Sequence, residues 1–175
     1  MKTLASLLAA ILTSLALAAP GHAEEPAPYP VFYDGKAQFE DAIAAEANLP
    51  PYEQRLTGLI VPHHLLAAPL IARGFRLASA RTYKRAILLM PDHFRQTGSP
   101  FATSDRDYET VLGPVGTDRP AVAALLAADG LIERNDLFNK DHAIRALLPF
   151  LKHYMPETRI VPVAVATRST REDAD

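Results

Sequence analysis

Two histidines of this chain stand in the same local pattern. Gly58-Leu59-Ile60-Val61 runs into Pro62-His63-His64, and Ala86-Ile87-Leu88-Leu89-Met90 runs into Pro91-Asp92-His93. Neutral imidazole is the commonest protein ligand for transition metals and suits zinc, iron and copper. An apolar run without alternation predicts a strand buried on both faces, as in a parallel sheet. Proline cannot donate to a ladder and so marks the strand end. The pattern places His63 and His93 just past the carboxyl ends of two parallel strands, where open α/β sheets hold their ligands. The chemistry on offer is metal binding by two imidazoles, each carried by a rigid element. The plainer alternative is that His63 or His64 caps the next helix and His93 is a surface loop residue. Adjacent side chains on an extended segment point to opposite sides, so His63 and His64 do not readily share one ion.

Other residues extend or limit this reading. Asp141-His142 opens a helical pattern, and a neutral imidazole there could act as donor, base or ligand. A partly exposed first-turn residue fits the pattern equally well. His153 reads as a solvated residue at a helix C-terminus, where it favours the dipole. Asp92 could orient an imidazole as a carboxylate partner, but accepting backbone hydrogen bonds in its turn is the simpler role. The sequence has no G-x-S-x-G, P-loop, G-x-G-x-x-G or H-E-x-x-H motif, which leaves serine-hydrolase, nucleotide-binding and zincin readings without support. It has no cysteine, so thiolate ligands, disulfides and a cysteine nucleophile are unavailable from these residues. With 18 basic and 20 acidic side chains and no Lys/Arg block, there is no electrostatic footprint for nucleic acid.

The elements that must carry these residues alternate. Residues 1–23 read as a secretory signal peptide: Met1-Lys2, an apolar run from Leu4 to Ala19, and a small-residue break with cleavage after Ala23. The run is shorter than the ~20 residues of a membrane span, so a periplasmic or secreted location without a membrane anchor is expected. Residues 24–35 read as a leader, mobile in its Pro/Ala-rich first part. Residues 36–175 read as one α/β domain. Helices are predicted over 36–48, 65–77 and 120–128, and from Asp141 through the Ile144, Leu147, Leu148, Leu151 stripe, with Pro149 as a kink or early stop. Buried strands are predicted over 56–61, 86–90 and 159–166, and shorter extended pieces over 101–104 and 108–115. This order predicts a three-layer αβα fold with a mostly parallel sheet.

The ordered motifs resemble the Memo family, also called AmmeMemoRadiSam system protein B. Ile60-Val61-Pro62-His63 and Met90-Pro91-Asp92-His93 are similar to its two strand–Pro/Ser–His segments. Tyr108-Glu109-Thr110-Val111-Leu112-Gly113, Thr117-Asp118, Asp141-His142-Ala143-Ile144 with Leu148-Pro149, and Phe32-Tyr33 are also similar to segments of that family. Differences are His64-Leu65-Leu66, where the family has Ala-Gly-Tyr, and Arg145, where it has Glu. The family also continues past the last matching segment, which implies a fold truncated at its C-terminus, either as a fragment with a further ligand expected downstream or as a shortened form with an incomplete site. The resemblance extends in fold to class III extradiol ring-cleaving dioxygenases, which hold non-haem Fe(II). It implies His63 and His93 as metal ligands, His142 as a pocket histidine and candidate acid/base, Fe(II) as the metal with copper or zinc as alternatives, and a small organic substrate. The competing expectations are a non-catalytic metal-, ligand- or partner-binding module and hydrolytic zinc chemistry.

Overall fold

The computed structural model describes residues 25–49, 52–128 and 130–173. The expected signal peptide lies outside them, as does Asp129, which with Gly130 is expected to stop the helix predicted over 120–128. Among the described residues four helices and four strands are formed: α1 (Lys36–Ala45), α2 (Ala68–Ala78), β1 (Arg85–Pro91), β2 (Phe101–Thr103), α3 (Arg119–Ala128), β3 (Ile132–Arg134), α4 (Ala143–Tyr154) and β4 (Arg159–Val165). No helix among them is long and apolar enough to cross a membrane.

The sheet order is β1-β4-β2-β3. β1 and β4 pair in parallel, as do β2 and β3, while β2 runs antiparallel to β4. The α/β class and the mostly parallel sheet thus follow the hydrophobic pattern. The last strand is central rather than an exposed edge, and the free edges among the described strands belong to β1 and β3. One sheet face carries the main core. There Phe39, Ile71, Phe75, Ile144, Leu148 and Phe150 of α1, α2 and α4 pack on Met90, Ile160 and Ala164. Across the sheet, Val122 of α3 covers Val161 and Val163. Pro69 sits in the first turn of α2, where its missing N–H costs nothing. The Asp118 carboxylate accepts from Ala121 N at 3.0 Å and starts α3. α4 runs through the buried Pro149 to Tyr154, so the proline is no stop.

Two expectations are corrected. Leu56–Val61 forms no ladder. The Tyr83 hydroxyl donates to Leu56 O (2.8 Å) and accepts from Leu56 N (3.1 Å), which removes that residue's pairing groups. The segment lies on α2 instead, with Val61 packed on the core and Ile60 fully exposed. The leader is also fixed rather than mobile at Tyr29. This residue is fully buried, bonds Asp107 O through its backbone, and shares a 2.9 Å hydrogen bond with Ser104 Oγ.

Arg145, one of the departures from the family pattern, explains how the leader is held. Its guanidinium is buried against the rings of Tyr29, Phe32 and Tyr108. It donates to Phe138 O at 3.0 Å and to Pro30 O. Burial lowers its pKa, offset by the neighbouring tyrosines. The residue is therefore a structural tie between α4 and residues 29–32. Arg145→Ala should cost about 2–4 kcal/mol, from lost charged hydrogen bonds and ring contacts, read as a lower urea midpoint. An unchanged midpoint would contradict this role.

Gly74 sets a second tolerance. A Cβ there would lie 2.5 Å from Val61 Cγ1 and 3.2 Å from Leu59 Cδ2. Gly74→Ala should gain up to ~1 kcal/mol of helix propensity. It should lose ~1–3 kcal/mol through overpacking and displace the segment that leads to His63. Net destabilisation in urea unfolding, with a changed His63 ring resonance, is the expected result.

Candidate metal centre

Three segments meet at one end of β1. The segment 58–62 delivers His63, the turn after β1 delivers His93, and the N-cap of α4 delivers His142. The turn is built by Asp92, whose buried carboxylate accepts from Phe94 N (3.2 Å) and Thr97 N (2.9 Å). Its backbone N–H continues the sheet to Val165 O at 2.9 Å. Asp92 thus takes the turn role and does not orient an imidazole. Arg95, inside the same turn, has φ 53°, the left-handed region that a non-glycine residue enters only when its surroundings hold it there.

His63 Nε2 and His93 Nε2 are 3.1 Å apart. Two nitrogens each ~2.1 Å from one ion stand ~3.0–3.4 Å apart in octahedral or tetrahedral geometry, so this spacing fits adjacent ligand positions. The His142 ring lies 4.5 Å from the His93 ring and 5.7 Å from the His63 ring, centroid to centroid. One nitrogen from each of the three falls within 4.8 Å of the others. The sequence patterns single out each of these histidines. The structure brings all three together, with His142 beside the other two. His64 stays apart, its Nδ1 accepting from Leu66 N at 3.5 Å as the cap of the short 3-10 turn Leu65–Ala67. His153 is exposed near the end of α4.

The residue that sequence reasoning missed is Asp141. Its side chain is fully buried, whereas those of His93 and His142 are 26% and 30% exposed. One oxygen accepts from His93 Nδ1 at 3.0 Å and from Ala143 N at 3.0 Å. The other lies 3.1 Å from His93 Nδ1 and accepts from His93 N at 3.1 Å. A carboxylate only accepts, so His93 must carry its proton on Nδ1, which leaves the Nε2 lone pair facing His63. This is the arrangement by which an outer carboxylate fixes the tautomer of a ligating imidazole. The signal was an Asp directly before a histidine at a helix start. Burial, together with the neighbouring His93 and His142 rings, lowers the His63 pKa, so the uncharged ligand form extends to lower pH. The sign of the linkage follows. The unfolded chain holds that proton more readily, so folding stability falls as pH drops below the ordinary imidazole value of ~6.5.

Three imidazoles at a strand end of a mostly parallel α/β sheet, one of them backed by a buried carboxylate, make a group that could hold a metal ion. The sequence comparisons place the fold more narrowly. A model of the Memo-like protein family matches residues 32–175, and the chain belongs to that family. It is 33% identical over 141 residues to a MEMO1 family protein of Thermotoga neapolitana, covering 75% of this chain and 50% of that protein. A MEMO1 family protein of Caldivirga maquilingensis is 28% identical over 123 residues, with 67% and 43% covered. One from Methanothermobacter thermautotrophicus is 24% identical over 126 residues, with 70% and 46% covered. The chain therefore spans about half the length of the curated relatives it matches.

Asp141→Asn removes the charge and offers the ring an amide in place of a pure acceptor. It should weaken metal binding by about 10–100-fold, measured by competition with a chromogenic chelator. An unchanged affinity would show that the carboxylate does not set the His93 tautomer.

Proposed function

We propose that this is an exported Memo-family metalloprotein in which His63, His93 and His142 hold one metal ion, with iron as the first expectation. The 3.1 Å approach of two Nε2 atoms beside a third imidazole carries the reading. Three neutral imidazoles fit iron, copper or zinc alike, and the family's likeness to non-haem iron dioxygenases favours iron. When bound, such an ion supplies a Lewis-acidic, redox-capable centre for a small organic substrate and oxygen. The chain's own contribution is to fix the ligands. Asp141 holds the His93 proton on Nδ1, β1 and the Asp92 turn set its position, and partial ring exposure leaves one side of the centre accessible. The pattern of residues 1–23 supports export to the periplasm or beyond.

A second reading is a metal- or ligand-binding module without turnover. It is supported by His64-Leu65-Leu66 and Arg145, where the chain departs from the family pattern. Hydrolytic zinc chemistry has less support. Asp141, the carboxylate at the rings, is occupied by N–H donors and is not free to act as a base.

Protein purified without chelator should carry close to one equivalent of metal by elemental analysis. His63→Ala and His93→Ala should each reduce that content at least tenfold, with circular dichroism unchanged. Oxygen uptake with catechol-type substrates by the iron-loaded protein separates turnover from passive binding. Absence of stoichiometric metal in the unaltered protein overturns the metalloprotein reading. N-terminal sequencing of protein from the periplasmic fraction should begin at Glu24, and retention of Met1 would contradict export by cleavage.

A further inference from the structure

The end of the sheet opposite the histidines carries a cleft. Arg159, which lines it, opens β4 and pairs with Arg85 at the start of β1. His93 follows the far end of β1, roughly 20 Å away at ~3.3 Å per strand residue. The cleft has a volume of about 560 Å³, within the ~300–1,000 Å³ of small-molecule sites. Its floor is the backbone of 113–116, fixed from two sides. Tyr108 and Val115 exchange two hydrogen bonds, of 3.0 and 2.8 Å, and Gly116 O accepts from Ile160 N at 3.0 Å. Glycine is required at 113, where φ is 114°. A Cβ there would lie 3.3 Å from Lys152 Cε, and one at Gly116 would lie 3.7 Å from Arg159 Nη1. The two glycines thus let both cations lie against the floor.

Seven charged side chains line this cleft. Three of them satisfy one another: Arg119 Nη2 lies 2.9 Å from Asp107 Oδ2 and 3.4 Å from Glu25 Oε2. The other four, Lys152, Arg159, Glu109 and Glu157, form no ion pair among the described residues. Lys152 Nζ and Arg159 Nη1 each donate one long bond of 3.4 Å to a backbone carbonyl, Pro156 O and Thr117 O respectively. Two unpaired cations and two unpaired carboxylates therefore line one cleft. A simple anion would meet the carboxylates there and a simple cation the two bases, and like charges side by side are costly. A ligand with a separated charge of each sign meets neither penalty. We propose that the cleft binds a small zwitterion of the amino-acid or dipeptide class. Lys152 and Arg159 take its carboxylate, and Glu109 and Glu157 take its ammonium. The fixed floor lowers the ordering cost of binding, and charge-assisted hydrogen bonds at both ends set the ligand's orientation.

The test is an NMR titration of the isotope-labelled full chain with L-alanyl-L-alanine, read at the Gly113 and Gly116 amides and at the histidine rings. Both glycine signals should shift and saturate, with the rings of His63, His93 and His142 unmoved. The N-acetylated and the C-terminally amidated dipeptides each lack one charge and should each bind at least about tenfold more weakly. Arg159→Gln and Glu157→Gln should each weaken binding of the parent dipeptide by a similar factor, with circular dichroism unchanged. Absence of a saturable shift up to ~10 mM dipeptide overturns the proposal. Equal binding of the acetylated form would reveal a plain anion site and overturn it, and equal binding of the amide would do the same by revealing a plain cation site. Binding that survives both substitutions, or shifts at the histidine rings with the glycines unmoved, would put the dipeptide elsewhere and overturn it as well. Metal content plays no part in the readout, so failure of this proposal does not touch the reading of the histidine centre.

Discussion

One buried carboxylate joins the two halves of the candidate centre. Asp141 receives the backbone and ring N–H groups of His93, which follows β1, and the N–H of Ala143, which opens α4. A carboxylate without solvent is costly unless its lone pairs are used. Here three N–H donors use them, so the turn after β1 and the start of α4 are stable only when brought together. That constraint fixes where the His93 ring points and which of its nitrogens is free. It also places His142, the next residue along, against the same ring. The core beneath has the complementary task. Ile144, Leu148 and Leu151 of α4 pack in the main core and hold the helix start beside the strand end.

Much of this was legible in the chain. The run 86–90 ending in Pro91, the Thr117-Asp118 helix start and the apolar stripe of 144–151 each encode an element locally, and each formed where its pattern lies. His63, His93 and His142 were legible as candidates because prolines and a helix start flag their positions. Two things were not legible. Residues 56–61 have a strand's composition, but strand formation depends on a partner, and a ladder partner is a non-local fact. Asp141 reads in the chain only as part of a helix start, and its pairing with a residue 48 positions earlier belongs to the tertiary fold. Arg145 illustrates a third limit. It departs from the family pattern in charge, and the structure uses it to anchor Tyr29 and Phe32.

The same sheet that positions the histidines also explains the uneven surface. A strand rich in Ile and Leu on both faces expects cover on both. β4 has it, from α4 on one side and α3 on the other, while β1 has it on one side alone among the described residues.

In the proposed centre three imidazoles converge on one ion. X-ray absorption at the metal edge of the loaded protein tests it most directly. The expected spectrum has a first shell at ~2.0–2.1 Å with the outer-shell scattering of three imidazole rings, falling to two in His142→Ala. A spectrum fitted by oxygen ligands with one imidazole or none would contradict it.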